Sequence, residues 1–276
     1  MNLNWIKTEW QEQVANKELQ KTCWDRFAPE FAAMTEKSAE QSKAFRIVTE
    51  QRMFDANASV LDLGCGAGRF SEVFAGLCRE VTGADLSEEM IRFAKERQAE
   101  KGLDNITYRV MDWHEADLGA LGWEKKFDLV FACNTPAVQS YQTFQKMNQA
   151  SKGWCFLAKP IRWQDSLIMK LVRAVGLEDR YRTFDDDMMY AYDVLLQAGY
   201  FPMVDYDSSE IVYEDTVENA FVHFRNRIGM KCALTKEQED RILKELNTMA
   251  TDGIIKECWK NTIAILYWNT NRRDNV

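Results

Sequence analysis

The chain of 276 residues carries 35 Lys+Arg against 43 Asp+Glu, a formal charge of −8 with histidine neutral. Its 46% hydrophobic and 28% charged residues are ordinary for a globular protein, which excludes disordered, collagen-like and disulfide-scaffold classes. The length suits one large domain, or a core domain with an insertion. The acidic balance argues against a broad, sequence-independent grip on nucleic acid, which needs a cationic surface to release counterions. Seven cysteines (23, 65, 78, 133, 155, 232 and 258) are an odd number, and no two have Cys-x-x-Cys spacing. Reduced thiols are therefore expected rather than a disulfide framework or a structural zinc site. The N-terminus has no continuous apolar run, and no stretch approaches the ~18 apolar residues of a membrane span. The expectation is a soluble, cytoplasmic protein without a membrane partner.

Residues 1–55 read as a helical cap. Leu3, Ile6, Trp10 and Val14 fall at helical spacing, and Trp24, Phe27 and Phe31 repeat the pattern. Residues 56–159 alternate short apolar runs with helical patterns. Strands are predicted at 58–63, 80–85, 106–111, 127–132 and 153–158, with helices between them, among them one over Ser87 to Lys101 capped by Ser87. Such alternation means parallel strands joined by right-handed crossovers, so a doubly wound, mostly parallel α/β sheet. Residues 160–276 complete the sheet and add helical lids at about 160–183 and 215–251. A basic helix is expected over 161–182, a helix over Met188 to Ala198, strand material from Phe201 to Tyr213, helices over Thr216 to Ile228 and Thr235 to Thr251, and a last strand at 262–268.

The strongest local signal is Val60-Leu-Asp-Leu-Gly-Cys-Gly-Ala-Gly-Arg-Phe70. A buried strand runs into Gly64, Gly66 and Gly68, and a helix follows. Glycines suit a turn of unusual dihedrals where a ligand approaches the backbone without meeting a Cβ. A dinucleotide site favours G-x-G-x-x-G. Here the third glycine comes one residue earlier, and Asp62 precedes the turn. A carboxylate there repels a pyrophosphate and suits an ammonium or sulfonium. Asp85 ends the next strand, where a carboxylate can accept both hydroxyls of a ribose. Asp112-Trp113 closes the third, where an acid can accept the amino hydrogens of an adenine and an indole can pack on its ring.

In this order these residues resemble the class I S-adenosylmethionine-dependent methyltransferases. Asp62 to Gly68 is similar to that family's glycine-rich motif, Val81 to Met90 to its second, Asp112-Trp113 to its third, and Phe127 to Asn134 to its fourth-strand motif. Trp24-Asp-Arg-Phe-Ala-Pro-Glu-Phe31 looks like the segment that precedes the core in many small-molecule members, where an N-terminal helix folds over the cofactor. The resemblance implies a seven-stranded Rossmann-like sheet. It also implies S-adenosyl-L-methionine as cofactor, with S-adenosyl-L-homocysteine as product. The cofactor would be held by Asp62, Gly64, Cys65, Gly66, Gly68, Asp85, Leu86, Met90, Asp112, Trp113 and Asn134, with Trp24 closing over the sulfonium.

Methyl transfer from a sulfonium is an in-line displacement that chiefly needs placement, so the lack of an obvious catalytic dyad does not count against this reading. Asn134-Thr-Pro136 departs from the Asn/Asp-Pro-Pro-aromatic tetrad of amino-group methyltransferases at Thr135 and Ala137, which leaves Asn134 as a wall of the site. His223 is a candidate base if its helix lines an acceptor pocket; His114 reads as a loop residue. Asp185-Asp-Asp187 cannot converge on one metal if helical and suits a helix N-terminus instead. Arg162 or Arg173 could steer an acceptor carboxylate or phosphate. The expected partner is a small-molecule acceptor, possibly anionic, not nucleic acid. The alternatives are a non-catalytic binding or scaffold protein, using the acidic surface of residues 184–218, and a methyltransferase acting on a macromolecule.

Overall fold

The computed structural model describes residues 2–12, 17–33, 36–164, 166–178 and 186–274. Four helices open the chain: α1 (Leu3–Glu9), α2 (Lys17–Ala32), α3 (Glu36–Glu40) and α4 (Lys43–Glu50). Then β1 (Ser59–Leu63), α5 (Arg69–Ala75), β2 (Glu80–Asp85), α6 (Glu88–Lys101), β3 (Ile106–Val110), α7 (Leu118–Leu121), β4 (Phe127–Cys133) and α8 (Tyr141–Ala150) alternate. The remainder is β5 (Ser151–Gln164), α9 (Ser166–Ala174), α10 (Asp187–Gln197), β6 (Met203–Thr216), α11 (Val217–Gly229), α12 (Lys236–Met249) and β7 (Ile254–Asn269).

The strands form one seven-stranded sheet in the order β3-β2-β1-β4-β5-β7-β6. The first five run parallel, and β7 inserts antiparallel between β5 and β6. This is the doubly wound, mostly parallel architecture expected from the alternation, with a helical insertion before the last strand. Every residue of β1 is buried, as a strand covered on both faces requires. One apolar cluster joins Trp10, Trp123, Phe144 and Trp268 on one face of the sheet, and another joins Val48, Phe74, Ile91 and Phe131 on the other. Local chemistry fixes the helix starts. Ser87 accepts the N–H of Met90 at 3.0 Å at the start of α6, and Thr235 and Gln238 close a capping box at the start of α12.

Two readings need correction. The expected basic helix from 161 is strand at first: β5 continues through Pro160 to Gln164, and α9 spans only Ser166–Ala174. A register shift between Pro160 and Arg162 takes up the proline, as a bulge does for a residue that cannot donate to the ladder. The last strand starts at Ile254 rather than 262. In the N-terminal region, α1 packs Ile6 and Trp10 into the sheet's own core, while α2 lies along α6. Val14 and residues 179–185, including Asp179, Arg180, Arg182 and Asp185, lie outside the described residues.

The long strands carry a third core. Leu171 and Val172 of α9, Phe224 and Ile228 of α11, Ile242 and Leu246 of α12, and Ile255 and Trp259 of β7 pack together. β7 therefore has two halves. From 264 to 268 every residue is buried, whereas from Lys256 to Lys260 exposed residues alternate with more covered ones. No helix among the described residues is long and apolar enough to cross a membrane.

Candidate functional site

At the end of β1 the chain turns through Gly64, Gly66 and Gly68 at φ of +68°, +55° and +87°. The turn is pinned to the end of β2, because the N–H groups of Gly64 and Cys65 donate to the Ala84 carbonyl at 2.7 and 3.1 Å. A Cβ on Gly64 would sit 1.8 Å from Thr135 Oγ1, and one on Gly68 would sit 2.4 Å from the Tyr108 hydroxyl oxygen. At Gly66 the nearest atom would be Met90 Sδ at 3.8 Å, so packing leaves open the side of the turn that a ligand approaches.

A cavity of about 630 Å3 opens at this turn, in the range of a small-molecule site. Gly64, Cys65, Gly66 and the carboxylate-bearing Asp62 and Asp85 line it at the strand ends. Leu86, Met90, Asp112, Trp113, Asn134 and Trp24 line it as well. Gly68 does not; it starts α5 as its left-handed cap residue, under Tyr108. His223 does not line it either. Its ring lies between Phe27 of α2, Tyr213 of β6 and Trp259 of β7 at centroid distances of 5.4, 5.0 and 6.4 Å. Burial, with Arg227 and Arg26 nearby, lowers its pKa to about 4. It is a packing residue between the cap and the insertion, because its helix turns that face onto aromatic rings. Arg162 and Arg173 are exposed and outside the lining, so the feature that suggested an anionic acceptor is absent from the site. Among the described residues no cluster of His, Cys, Asp or Glu is arranged to hold a metal. Asp187 is engaged with Lys159 instead.

Each acid at the strand ends has a definite state. Asp62 is 2% exposed and accepts the Ser71 hydroxyl at 2.6 Å, and burial pushes its pKa up to about 7. Asp85 is also raised by burial, against the N–H groups of Ser87 and Gly66, which donate to its two oxygens at 2.9 Å each. Those two bonds aim the carboxylate while leaving a lone pair on each oxygen. Asp112 accepts the His114 N–H at 2.8 Å and pairs with Lys17 of α2 at 3.1 Å. Trp113 is 2% exposed and donates its Nε1–H to the Thr143 carbonyl at 2.9 Å, so its indole is anchored in the sheet core and only a part of it borders the cavity.

The cap closes the cofactor side through named bonds. Ser87 donates its hydroxyl to Asp25 at 2.5 Å, and Lys21 pairs with Glu88 at 2.7 Å. Trp24, packed on Phe31 at 6.1 Å, lines the cavity, and its indole nitrogen is buried without a hydrogen-bond partner among the described residues. Asn134 sits at φ +54° in the turn after β4, its N–H donating to the Ala158 carbonyl at 2.8 Å. Several lining residues escaped sequence reasoning: Glu12, whose Oε2 lies 3.4 Å from His114 Nδ1, then Arg69 and Cys133, and on the long strands Asp207 and Asn261.

Among the described residues, four carboxylates at the glycine-turn end (Glu12, Asp62, Asp85 and Asp112) and a fifth on β6 (Asp207) line the cavity with one guanidinium, that of Arg69. A cationic ligand with a ribose fits these walls. The backbone can approach it at Gly66, a two-oxygen acceptor is fixed at Asp85, an unpaired indole N–H comes from Trp24, and the acid excess offsets an ammonium and a sulfonium.

Comparisons with known proteins agree. The sequence profile of a family described as "Methyltransferase domain" matches residues 54–247. The 23S rRNA (uracil(1939)-C(5))-methyltransferase RlmD of Shewanella sediminis is 39% identical over 93 residues, covering 33% of this chain and 21% of that protein. The protein-L-isoaspartate O-methyltransferase of Myxococcus xanthus is 29% identical over 92 residues, 33% of this chain and 41% of that one. The chain thus spans well under half the length of these curated relatives. The crystal structure of the YcgJ protein of Bacillus subtilis superposes with a TM-score of 0.51 at 14% identity, covering 84% of this chain and 99% of that one, a likeness of fold. With the profile matching well over half of its length and the glycine turn and strand-end acids in place, the chain belongs to the class I S-adenosylmethionine-dependent methyltransferases.

Proposed function

We propose that the protein transfers a methyl group from S-adenosylmethionine to a small-molecule acceptor bound in the same cavity. The observation that carries this reading is the continuity of the cavity, from the glycine turn past Asn134 to residues of β5, β6 and β7. Donor and acceptor would share one recess, covered by α2 on the donor side. Held there, S-adenosylmethionine would supply a methyl carbon activated on a sulfonium for in-line displacement by the acceptor's lone pair, with the carbon–sulfur electron pair going to sulfur. The chain's own groups do the rest. Asp85 receives the ribose hydroxyls, Asp62 faces the cationic end, Trp24 closes over it, and Asn134 bounds the path of the methyl. Such positioning is the main catalytic contribution an already activated donor requires. A proton on the attacking atom leaves to solvent or to a group of the acceptor.

Calorimetric titration with S-adenosylmethionine and S-adenosylhomocysteine tests the donor half. Wild type should bind both, and Asp85→Ala should weaken both by about 100-fold, the scale of losing two hydrogen bonds to a carboxylate. Absence of heat with wild type would overturn the reading in favour of a scaffold. Label from methyl-tritiated cofactor appearing in RNA or protein rather than in small molecules would overturn the acceptor half.

A further inference from the structure

The far end of the cavity lies on three strands that outrun the parallel part of the sheet. Pro160 of β5, Ile263 and Asn261 of β7, and Asp207 of β6 form it. Asp207 stands opposite Ile263, and Asn261 stands opposite Ser209. Asp207 and Asn261 are thus diagonal neighbours across an antiparallel pair. On one face such neighbours are roughly 7 Å apart at the backbone, within reach of a shared group.

Both side chains offer oxygen. Asn261 is 9% exposed, and its Oδ1 is buried without a hydrogen-bond partner among the described residues. A buried acceptor in that state is destabilising unless a ligand donates to it. Asp207 spends Oδ1 on the Ser208 N–H at 2.9 Å, which leaves its second oxygen for a ligand. Among the described residues the lining guanidinium is that of Arg69 of α5, whose charge acts on Asp62 and on Cys133, a thiol that also feels the Asp207 carboxylate; burial is the first cause at both groups.

We infer that this end of the cavity is the acceptor subsite, and that the acceptor is held there by a hydrogen-bond-donating cationic group, an ammonium or a guanidinium, shared between Asp207 and Asn261. The inference rests on the proposed methyl transfer and adds the chemical class of the acceptor. A carboxylate or phosphate at this position would meet an acid and an unpaired carbonyl oxygen, so these two groups favour a cationic acceptor over an anionic one.

The test uses the full chain, methyl-tritiated S-adenosylmethionine and a cell extract filtered of macromolecules, with charcoal removing adenosyl compounds afterwards. Labelled product should be retained on a cation exchanger at neutral pH. Asp207→Asn and Asn261→Leu should each raise the extract concentration for half-maximal labelling by roughly tenfold or more, the scale of one charge-assisted hydrogen bond. Their affinity for S-adenosylhomocysteine, measured by calorimetry, should match wild type, which also shows that both variants fold. Product that passes the cation exchanger, half-saturation unchanged in both variants, or no label in small molecules despite cofactor binding would each overturn the inference. Failure of wild type to bind S-adenosylhomocysteine would instead remove the methyl-transfer reading beneath it.

Discussion

Asp62 gives the sharpest quantitative prediction. Its carboxyl is 2% exposed, and its pKa rises from 3.8 to about 7, chiefly through burial, which the Ser71 hydroxyl only partly offsets. The folded chain thus holds a proton that the unfolded chain has lost between those two values. Stability linked to this group is therefore full below the unfolded value and falls as pH rises toward the folded one. Each pH unit inside that window is worth 1.36 kcal/mol at most, so raising the pH from about 5 to about 7 should remove about 2 kcal/mol. Asp62→Asn removes the titration while keeping an oxygen for Ser71. Urea unfolding of both proteins across this range isolates the effect, since other groups cancel in the difference. The stability of Asp62→Asn relative to wild type should increase by about 2 kcal/mol from pH 5 to 7 and then level off. The same proton should leave when a cation binds, so wild-type affinity for S-adenosylmethionine should climb with pH up to about 7, and the Asn variant should show no such climb. A pH-independent difference in stability would refute the assignment, because Asp62 would then titrate like an exposed carboxylate.

Two further predictions concern the packing between cap and insertion and the glycine turn. His223 has a pKa lowered to about 4, so it is neutral in the fold, and its share of stability is present above the unfolded value and lost as pH falls toward 4. His223→Leu should flatten acid unfolding between about pH 6 and 4 by up to about 2 kcal/mol while leaving labelled-methyl turnover at neutral pH within a factor of about two; a large turnover loss would make the ring part of the site. Gly64→Ala forces a side chain into the left-handed region and onto Thr135 Oγ1, so it should lower stability by at least about 2 kcal/mol and abolish cofactor binding. Unchanged thermal unfolding and calorimetry for that variant would mean the turn is not held against the loop after β4.

Much of the cofactor end was legible because its signals are local in sequence. Apolar runs ending in glycine or acid locate β1 and β2, a longer apolar run ending at Asn134 locates β4, and Ser87 announces α6 by the capping rule. The acceptor end was less legible. Pro160 reads as a boundary, yet a bulge lets β5 pass through it. Half of β7 was missed because its alternation of Lys256, Cys258 and Lys260 with Trp259 and Asn261 lacks the continuous apolar run that marks residues 262–268. One signal was present: Asn261 holds an inward position between Trp259 and Ile263, where the period calls for an apolar side chain. Glu12, Asp207 and Trp113 depend on tertiary meetings. The Trp113 indole, expected beside an adenine, borders the cavity and is also held by the Thr143 carbonyl, a bond between parts of the chain 30 residues apart. The same holds for His223, whose aromatic neighbours come from three separate elements.

The insertion of β7 between β5 and β6 also orders events in time. Those two strands are joined to each other only through β7, which follows both of them in the sequence. On the ribosome, β1 to β5 can align as soon as they emerge, and the glycine turn with them. β6 must wait as an unpaired strand, and α11 and α12 wait without the Ile255 and Trp259 side chains that complete their core. Synthesis of β7 joins them in a single step, so a chain stalled before it would expose an apolar helical pair and two open strand edges. Such a chain is a target for chaperones and a nucleus for aggregation, and the part of the cavity made by β6 and β7 forms only once β7 has been made.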